Sequence, residues 1–508
     1  MIELSRSQGA VAIGVPTLSA PVVGVSTDTR TLRPGDLFVA IKGESYDGHQ
    51  FVPAALARDA SCVVVQLGIA IAGDMDYESP RGHVPIYRVP DTRAALAGLA
   101  REVRRASEAK VIAITGSVGK TSTKDLIRCM AEVAGPVVGT TANENNEIGV
   151  PLTLLKVSDD TATVVVEMGM RGRGQIRLLT LTAEPDVAVV TAIAPVHLEA
   201  VGTLAGIVAA KAEIFEGLRP GGVAVVPADE AAIIDAARRL GVRVLRFAFA
   251  DARGGALRLP DAEVRGVARR TGEGRMVLEV EWPGGSGVVP VPFTGAHRIR
   301  NAVTAAAACY AAGLPVEDCL SRLPDVAFTP LRGEEVRVGG VVVRDDTYNA
   351  NPAAVRLALD DLVIAAADTG RRAVAVLGDM LELGSEAHAY HREVGAHAAA
   401  VGVELLWGIG PFSRAMLEGY DSHASVEVES DAAASQPGRE GQTGVGWASR
   451  WEDALEELVA SLEPDDMILV KGSRGIKLDG LVRALIERLR EGAPSPESGE
   501  KREGGTLA

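Results

Sequence analysis

The chain has 508 residues, of which 47% are hydrophobic and 23% charged, and its formal net charge is −15. This composition is typical of a soluble globular protein with enough chain for about three domains, and it argues against long-range disorder. The acidic balance also makes nucleic acid or an anionic membrane surface an unsuitable main partner, so any phosphate site must be local.

The cysteines and the amino terminus indicate the cellular compartment in which such a protein is found. Cys62, Cys129, Cys309 and Cys319 lie far apart without metal-ligand spacing, which indicates a reduced cytosol and no zinc site. The start MIELSRSQGA is not a signal peptide, and the longest uncharged stretch, Asn301–Val316, is too short and too polar to span a bilayer. We therefore expect a cytoplasmic protein without membrane insertion, and we take a monomer as the working expectation.

Residues 1–107 are predicted to form a small amino-terminal α/β domain, because short apolar runs alternate with helical patterns. The predicted strands are Leu37–Ile41, Cys62–Gln66 and Pro85–Val89. The amphipathic stretch Thr92–Ser107 predicts the helix that leads into the next domain.

A polar segment, Ser26–Phe51, is the most unusual part of this first domain. Two interpretations of its polar side chains stay open: solvated turn residues, or an edge of the domain that contacts a ligand. The side chains concerned are Asp28, Thr29, Arg30, Lys42, Asp47 and His49.

The second domain, residues 108–328, opens on a predicted phosphate-binding loop in KVIAITGSVGKTSTK. The β-branched run Val111–Ile114 predicts a buried parallel strand, and Thr121 opens a helix whose positive end faces the loop. Lys120 would reach the β- and γ-phosphates of a nucleotide, and the Thr121 hydroxyl would bind Mg²⁺. An ordinary glycine turn before a helix is the alternative. The loop residues predicted to bind nucleotide are Gly116, Ser117, Val118, Gly119, Lys120, Thr121 and Ser122.

Two further buried strands, Thr163–Met168 and Val187–Ile193, are predicted to end beside this loop. Glu167 closes the first of them and is a candidate Mg²⁺ ligand, the alternative being an acid that caps a neighbouring helix. His197 follows the second, where a structural or surface role is the alternative. Lys211 lies in an alanine-rich helical run, where a lysine is most often a surface residue.

The rest of the chain alternates again between strands and helices. Residues 248–292 are predicted to form antiparallel strands inserted in, or appended to, the central domain. Residues 329–491 are predicted to form a third domain, a second open, doubly wound parallel sheet. Its predicted strands are Val341–Asp345, Ala373–Leu377, Glu404–Ile409 and Met467–Val470. The stretch 422–446 is interpreted as a surface loop, and 492–508 as a disordered tail.

Taken together in their order along the chain, the motifs resemble those of the Mur ligase family of peptidoglycan synthesis. They are TGSVGKTSTK, NENNEIGVP, EMGMRGRGQI, HLEAVGT, the helix with Lys211, GAHRIRN, DDTYNANP, LGDMLELG and KGSRG. The resemblance covers nearly the whole chain. It implies an α/β fold of three domains: an amino-terminal domain for the UDP end of a sugar nucleotide, a central P-loop ATPase domain with a mostly parallel sheet, and a carboxy-terminal Rossmann-like domain that closes over the amino substrate.

The resemblance also implies an activity. ATP would phosphorylate the carboxylate of UDP-N-acetylmuramoyl-tripeptide, and the amine of D-alanyl-D-alanine would attack the acyl phosphate. The products would be the UDP-muramoyl-pentapeptide, ADP and phosphate. The amino-terminal segments DTR, LFVAIKG and DGHQF, with the YNANP form, carry the expectation for these substrates.

Residue roles follow from the same resemblance. It implies that Lys120, His197 and Lys211 are catalytic and that Thr121, Glu167, His197 and Lys211 hold Mg²⁺, with Lys211 carbamylated. The implied nucleotide contacts beyond the loop are Asn301, Arg332, Asp346 and Asn349. The implied substrate contacts are Thr27, Asp28, Thr29, Arg30, Lys42, Asp47, His49, Asn143, Asn146, Lys471, Ser473 and Arg474, the last three placed to meet the dipeptide.

Two rival functions stay open at the level of sequence. A different amide ligase of the same superfamily, which adds one amino acid to a muropeptide or glutamates to folate, would share the central motifs, but it should lack the YNANP and LGDMLELG pair. A P-loop switch that hydrolyses ATP to change shape would need only the central domain.

Overall fold

The computed structural model describes residues 1–43, 46–70, 78–79, 82–142, 144–195, 201–251, 261–271, 275–293, 295–430 and 444–491. The chain divides into two compact units, Met1–Thr329 and Pro330–Ala508. The further division predicted at residues 107 and 108 stays a prediction. The predicted tail, 492–508, lies outside the described residues.

The first unit begins with a four-stranded sheet whose strand order is β1-β2-β3-β6, with every neighbouring pair parallel. Its strands are β1 (Val25–Ser26), β2 (Leu37–Val39), β3 (Cys62–Gln66) and β6 (Ile86–Val89), and a separate hairpin is formed by β4 (Glu78–Ser79) and β5 (Gly82–His83). The helices are α1 (Arg6–Ile13), α2 (Val52–Ala57) and α3 (Thr92–Ala106). The prediction of a small α/β module is confirmed.

Helix α3 begins at an aspartate cap and ties this sheet to the rest of the first unit. The Asp91 carboxylate accepts hydrogen bonds from the backbone N–H groups of Arg93 and Ala94, which leaves the helix start satisfied. Near its end, the buried Arg104 donates to the Glu184 carbonyl and to the Asp186 carboxylate at 2.8 Å. Because a buried guanidinium needs such partners, this contact fixes α3 against the central sheet.

The central sheet has nine strands in the order β15-β14-β13-β12-β11-β10-β7-β9-β8. They are β7 (Lys110–Thr115), β8 (Val137–Gly139), β9 (Thr163–Glu167), β10 (Val187–Val190), β11 (Val223–Pro227), β12 (Arg243–Asp251), β13 (Val264–Arg270), β14 (Met276–Trp282) and β15 (Gly285–Pro290). The predicted central strands are confirmed, because runs buried on both faces read as continuous β-branched sequence.

The prediction for residues 248–292 is wrong in one respect. β12 and β13 pair in parallel, and antiparallel pairing begins only between β13 and β14. The alternating valines predicted strands correctly. Alternation does not predict whether two strands pair in parallel, because that depends on the connection between them, here between β12 and β13. These strands extend the central sheet, so the segment is appended to it.

Helices cover both faces of the central sheet. They are α4 (Lys120–Ala131), α5 (Gly149–Leu154), α6 (Gln175–Ala183), α7 (Leu204–Ala212), α8 (Ala231–Arg239), α9 (Ala296–Ala311) and α10 (Val316–Ser321). Along β7, Val111 and Ala113 belong to one hydrophobic core, and Ile112 and Ile114 to the other. Both faces of β7 are therefore buried, which holds its carboxyl end in a fixed position.

The second unit has a six-stranded sheet in the order β16-β17-β21-β18-β19-β20, parallel except for the pair β16 and β17. Its strands are β16 (Glu334–Val338), β17 (Val341–Asp345), β18 (Arg372–Gly378), β19 (Leu405–Ile409), β20 (Gly444–Ala448) and β21 (Asp466–Lys471). The helices are α11 (Pro352–Thr369), α12 (Ala387–Val401), α13 (Ser413–Ser430), α14 (Trp451–Ser461) and α15 (Leu478–Glu491). The predicted doubly wound sheet is confirmed, with an antiparallel edge strand added.

The interpretation of 422–446 as a loop is wrong at both of its ends. Helix α13 continues to Ser430, and Tyr420 on it is buried and donates its hydroxyl to the Val403 carbonyl at 2.5 Å. Strand β20 begins at Gly444, where the glycines of GVGWA hide the apolar signal of an edge strand. Residues 431–443, which remain of the predicted loop, lie outside the described residues.

None of the helices in the described part of the chain combines the length and the apolar character that crossing a bilayer requires. The four cysteines are free thiols.

Candidate active site

The predicted phosphate loop connects β7 to α4 and has the backbone that its sequence requires. Gly116 has φ 154° and Gly119 has φ 84°, conformations that residues with side chains rarely adopt. A Cβ atom would also collide with the Thr191 hydroxyl at Gly116 and with the Asn301 amide at Gly119. The loop leads directly into the first turn of α4, whose N–H groups and dipole favour an anion.

The segment after β10 holds the loop in place. The Ser117 hydroxyl donates to the Ala194 carbonyl at 2.9 Å, and it accepts from the Ala194 N–H at 2.9 Å. The Thr191 hydroxyl donates to the Val118 carbonyl at 2.5 Å. These bonds fix the loop in one conformation before any ligand binds, which lowers the entropic cost of binding.

Lys120 and Thr121, the first residues of α4, face the ends of the loop and of β9. The Lys120 ammonium lies 2.8 Å from the Gly116 carbonyl oxygen, folded over the loop. The Thr121 hydroxyl donates to Glu167 Oε2 at 2.9 Å, and Asn145 Nδ2 donates to Glu167 Oε1 at 2.9 Å. The structure thus brings together the predicted lysine, hydroxyl and carboxylate.

Glu167 ends β9 and is only 2% exposed. Its backbone N–H donates to the Thr140 hydroxyl at 2.9 Å, so the whole residue is held rigidly. It contacts α4 through the side-chain hydroxyl of Thr121, whereas a capping acid accepts from the N–H groups of a helix. A hydroxyl and a carboxylate at one point form an oxygen donor set that suits a hard cation.

Asn301 on α9 lies against Gly119 of the loop and is 6% exposed. Its Nδ2 atom is buried and has no hydrogen-bond partner among the residues that the structure describes. Since an unpaired buried amide costs free energy, a donor in this position beside a phosphate loop fits an acceptor atom of a bound nucleotide.

Lys211 on α7 is 2% exposed, so the interpretation as a surface residue is wrong. The alanines beside it suggested a solvated face, but here they are small residues that let α7 pack closely. Burial first, and the positive charge of Lys120 second, hold the pKa of Lys211 well below its usual range. Burial therefore shifts the equilibrium of this side chain toward the neutral amine.

His197, the remaining predicted metal ligand, lies outside the described residues. Within the described ranges, no three His, Cys, Asp or Glu side chains are grouped to hold a metal. Thr121 and Glu167 are thus the described residues whose oxygens fit Mg²⁺, an ion usually held by one or two carboxylates and by substrate phosphates.

In the amino-terminal set, Thr27, Asp28, Thr29 and Arg30 follow β1 directly, at a carboxyl end of the small sheet. Arg30 reaches into solvent, with a side chain that is 87% exposed, and it pairs with Asp28 at 2.6 Å. The hydrogen bonds from Arg30 lower the pKa of the Asp28 carboxyl. The cation is therefore placed on the surface and oriented, as an anion-binding arginine would be.

Lys42, Asp47 and His49 lie around the next turn. Lys42 is exposed and its backbone pairs with that of Asp47. His49 is buried, with Nδ1 2.6 Å from Asp47 Oδ1, while Nε2 accepts from the Gln66 N–H at 2.9 Å. Both ring nitrogens are thus used within the fold, and the geometry favours a positioning role for His49 and a contact role for Lys42.

Of the two predicted asparagines after β8, Asn143 lies outside the described residues, and the side chain of Asn146 makes hydrogen bonds within the protein. Asn146 Oδ1 accepts from the N–H groups of Ile148 and Gly149, in the turn that leads into α5. Sequence reasoning missed Asn145, whose amide holds Glu167. The motif NENNEIGVP contained the signal, but three asparagines within four residues do not show which one points at the carboxylate.

In the second unit, the predicted nucleotide and dipeptide residues meet at the ends of β17 and β21. The buried Lys471 ammonium donates to Asp346 Oδ2 at 2.7 Å and to the Asn349 carbonyl at 2.9 Å. Ser473 is buried beside them and accepts from the Leu381 N–H at 2.9 Å.

Two arginines complete this set. The Arg332 guanidinium lies 3.8 Å from the centroid of the Tyr348 ring, a cation–π contact that holds it flat. Arg474 is largely exposed, and its guanidinium lies 3.7 Å from the Asp479 carboxylate. Arg474 follows β21, and Arg332 precedes β16, whose first residue pairs with Asp345 at the carboxyl end of β17. Both therefore lie at the edge of the sheet where the parallel strands end and where open α/β sheets bind ligands.

Three family models match consecutive parts of the chain. The model of the Mur ligase family catalytic domain matches residues 21–104, that of the Mur ligase middle domain matches 114–309, and that of the Mur ligase glutamate ligase domain matches 331–474. Together they cover most of the chain.

Curated relatives match over nearly their full length. The UDP-N-acetylmuramoyl-tripeptide–D-alanyl-D-alanine ligase of Escherichia coli is 34% identical over 465 residues, which are 91% of this chain and 93% of the relative. The ligase of the same name from Bacillus subtilis is 31% identical, with the same coverage.

Solved structures agree with these matches. A crystal structure of MurF from Acinetobacter baumannii superposes with a TM-score of 0.78 at 28% identity, covering 96% of this chain and 99% of that one. MurF from Thermotoga maritima, solved in complex with ADP, has the same fold, with a TM-score of 0.74 at 24% identity over 92% of this chain and 98% of that one.

Proposed function

The chain belongs to the Mur ligase family, and from that premise we propose that it joins D-alanyl-D-alanine to UDP-N-acetylmuramoyl-tripeptide at the expense of ATP. The observation that carries the proposal is the phosphate loop with Lys120 and the Thr121–Glu167 pair at its end. The curated relatives named for this reaction support the choice of substrates.

The chemistry explains why such a site is needed. A carboxylate becomes a good acyl donor only when one of its oxygens becomes a leaving group. A tripeptide carboxylate oxygen attacks the γ-phosphorus of ATP; the new C–O–P linkage forms as the bond to ADP breaks. The neutral amine of the dipeptide then adds to the acyl carbon, and phosphate leaves from the tetrahedral intermediate as the nitrogen gives up its proton.

The protein's part in the first step is to align two anions that repel each other. The loop N–H groups and the Lys120 ammonium hold the phosphates of ATP and neutralise charge that builds up on the transferred group. Asn301 offers its unpaired amide to the nucleotide. Burial around the loop strengthens each of these interactions, because the local dielectric constant is low.

The residues present also fit Mg²⁺, which would be held by Thr121 and Glu167, with His197 as a further ligand. When bound, Mg²⁺ neutralises phosphate charge. Asn145 has a supporting role, because its amide keeps the Glu167 carboxylate turned toward Thr121.

Lys211 acts as a carbamate in this proposal. A neutral amine adds to CO₂, forming an N–C bond and releasing one proton to water, and a lysine with a lowered pKa is neutral more often than an ordinary one. The charge of Lys120, which disfavours an ammonium at this position, favours the carbamate anion. Lys211 would thereby change from an amine into an anionic oxygen ligand for Mg²⁺.

The remaining predicted residues divide by substrate. The exposed Arg30 and Lys42 bind the diphosphate of the sugar nucleotide, and the set around Lys471 and Arg474 binds the dipeptide. Since ATP and UDP-sugars are cytosolic metabolites, the reaction takes place in the cytoplasm. A monomer contains every residue named, which light scattering of the purified chain would check.

The deciding experiment is phosphate release with ATP and UDP-N-acetylmuramoyl-tripeptide, the third residue being lysine in one series and diaminopimelate in another. We expect release and a pentapeptide product, identified by mass, only when D-alanyl-D-alanine is added. Equal release with single D-alanine or glutamate would favour a different amide ligase. Release with ATP alone, unaffected by either substrate, would favour an ATP-driven switch.

A further inference from the structure

Two exposed apolar side chains stand at the ligand-binding edge of the second unit. Leu381 follows β18 and is 42% exposed, and Phe412 follows β19 and is 41% exposed. β18 and β19 are neighbouring parallel strands, so the two loops emerge side by side. Single exposed hydrophobic residues are common on protein surfaces, and exposure alone would mean little.

A continuous set of contacts ties the loops of both residues to Ser473, one of the predicted dipeptide residues. The Leu381 N–H donates to the Ser473 hydroxyl at 2.9 Å, and the preceding residue, Met380, donates its N–H to His391 Nε2 at 2.9 Å. The His391 and Phe412 rings lie 5.5 Å apart between centroids. Leu381 and Phe412 therefore belong to one rigid edge, together with Ser473.

The loop after β21 contributes a cation to this edge. Gly475 lies so close to Leu381 that a Cβ atom there would stand 2.9 Å from Leu381 Cδ1. Arg474, the residue directly before Gly475, is largely exposed. The absence of a side chain at Gly475 thus lets Leu381 lie directly against the loop that carries Arg474.

The backbone at this edge is held in an unfavourable conformation. Glu382, directly after Leu381, has φ 64°, which is rare for a residue with a side chain. Strain of this kind persists where the surrounding structure enforces it, and it is concentrated at ligand sites. The turn at Glu382 separates two leucines: Leu381 before it is directed outward, whereas Leu383 after it is buried.

We propose that Leu381 and Phe412 are specificity-determining residues that contact the two methyl groups of the dipeptide, while Arg474 pairs with its carboxylate. This inference rests on the proposed function. D-Alanyl-D-alanine carries one carboxylate and two methyl groups, which matches one exposed cation beside two apolar side chains. Because Leu381 is the one that touches the loop of Arg474, it contacts the methyl group of the carboxyl-terminal residue, and Phe412 contacts the other.

The test is a cycle that removes methyl groups from the dipeptide and side chains from the protein. The dipeptides are D-alanyl-D-alanine, D-alanyl-glycine and glycyl-D-alanine, and the variants are Leu381→Ala and Phe412→Ala. One buried methyl group is worth about fourfold in affinity, so the parent should prefer D-alanyl-D-alanine over D-alanyl-glycine by at least about fourfold in kcat/KM. Leu381→Ala should bring that ratio close to one, and Phe412→Ala should do the same for glycyl-D-alanine.

Controls separate contact from stability. KM for ATP and the melting temperature should stay near the parent values, because both side chains are partly exposed, and Leu381→Met should keep the preference. Leu240→Ala, which truncates a leucine exposed on the first unit, should change nothing. The inference is overturned if both alanine variants keep the parent's preferences among the three dipeptides. It is also overturned if Leu381→Ala changes only the preference over glycyl-D-alanine and Phe412→Ala only the preference over D-alanyl-glycine. In both cases the proposed function stands. If the parent itself ligates no dipeptide, the proposed function fails and this inference fails with it.

Discussion

The Thr121 hydroxyl donates a hydrogen bond of 2.9 Å to the Glu167 carboxylate and so joins the first turn of α4 to the end of β9. The two residues are 46 positions apart in the chain and belong to different motifs. Their contact turns a phosphate loop and a strand end into one site, because it places a hydroxyl and a buried carboxylate where both can face a cation.

Replacing Glu167 with glutamine should reduce ligation by at least about a hundredfold. The amide keeps the size of the side chain but removes the negative charge that a hard cation needs. Steady-state kinetics over a range of Mg²⁺ concentrations is the measurement, with Glu317→Gln, an exposed acid on α10, as the matched control. A loss below tenfold, about 1.4 kcal/mol, would be too small for this role.

Asn145→Ala should raise the Mg²⁺ concentration needed for half-maximal activity and lower the free energy of unfolding by about 1–3 kcal/mol. Glu167 Oε1 loses its amide donor in a buried place. Asn146→Ala is the matched control, since it removes the hydrogen bonds in the turn before α5, at a cost of about 1 kcal/mol, and leaves the Asn145–Glu167 bond in place. If both variants show the same Mg²⁺ dependence as the parent, Asn145 has only a structural role.

These two asparagines show where prediction from sequence stops. Strands such as Cys62–Gln66 and Val341–Asp345 were predicted with their final bounds, because a run of β-branched residues reports burial directly. Glu167 was found for a similar reason, as the acid at the end of such a run. The choice among neighbouring asparagines depends on which amide turns toward Glu167, and no periodicity carries that information.

Lys211 and β20 were misjudged for physical reasons of the same kind. The alanines around Lys211 are compatible with a solvated helix face and with close packing, and only the tertiary structure decides between them. In GVGWA, glycines replace the β-branched residues that usually mark a strand. Gly446 is needed because a side chain there would collide with the Trp407 ring.

Replacing residues 431–443 with a short Gly/Ser turn should leave the melting temperature and the turnover nearly unchanged. The segment has no hydrophobic periodicity in sequence, so we expect it to bury little. A longer deletion that also removes Gly444–Ala448 should lower the melting temperature clearly, because β20 pairs with β19 and covers Trp407. Thermal unfolding of both variants distinguishes the cases, and loss of dipeptide turnover in the shorter deletion would place 431–443 in the site.

Lys211→Met should raise the free energy of unfolding at pH 7 in CO₂-free buffer, because methionine removes the cost of burying a group that carries a charge in the unfolded chain. Because the pKa of Lys211 is lower in the folded chain, the unfolded chain binds more protons between the two pKa values. The stability of the parent therefore rises with pH in that window, and the advantage of the variant should shrink as pH approaches the pKa of a free lysine.

Urea unfolding at several pH values between about 6.5 and 9.5 measures this difference. Lys110→Met, at an exposed lysine of β7, is the control and should show no such trend. An advantage of Lys211→Met that is constant with pH would mean that packing, rather than the cost of burying a charge, separates it from the parent.

The carbamate proposed at Lys211 can be tested by supplying its charge from outside. Lys211→Ala should lose at least about a hundredfold in ligation, and acetate or another small carboxylate should restore part of it by placing an anionic oxygen in the vacated volume. Lys211→Arg keeps a positive charge and should be as inactive as the alanine variant. Acetate should restore less activity in it, because the arginine side chain fills the volume.

An independent test of the carbamate is its carbon NMR signal in protein equilibrated with ¹³C-bicarbonate. The signal should be present in the parent and absent in both variants. An arginine variant as active as the parent, or a parent without the carbamate signal under conditions of full activity, would show that Lys211 acts as an amine or a cation instead.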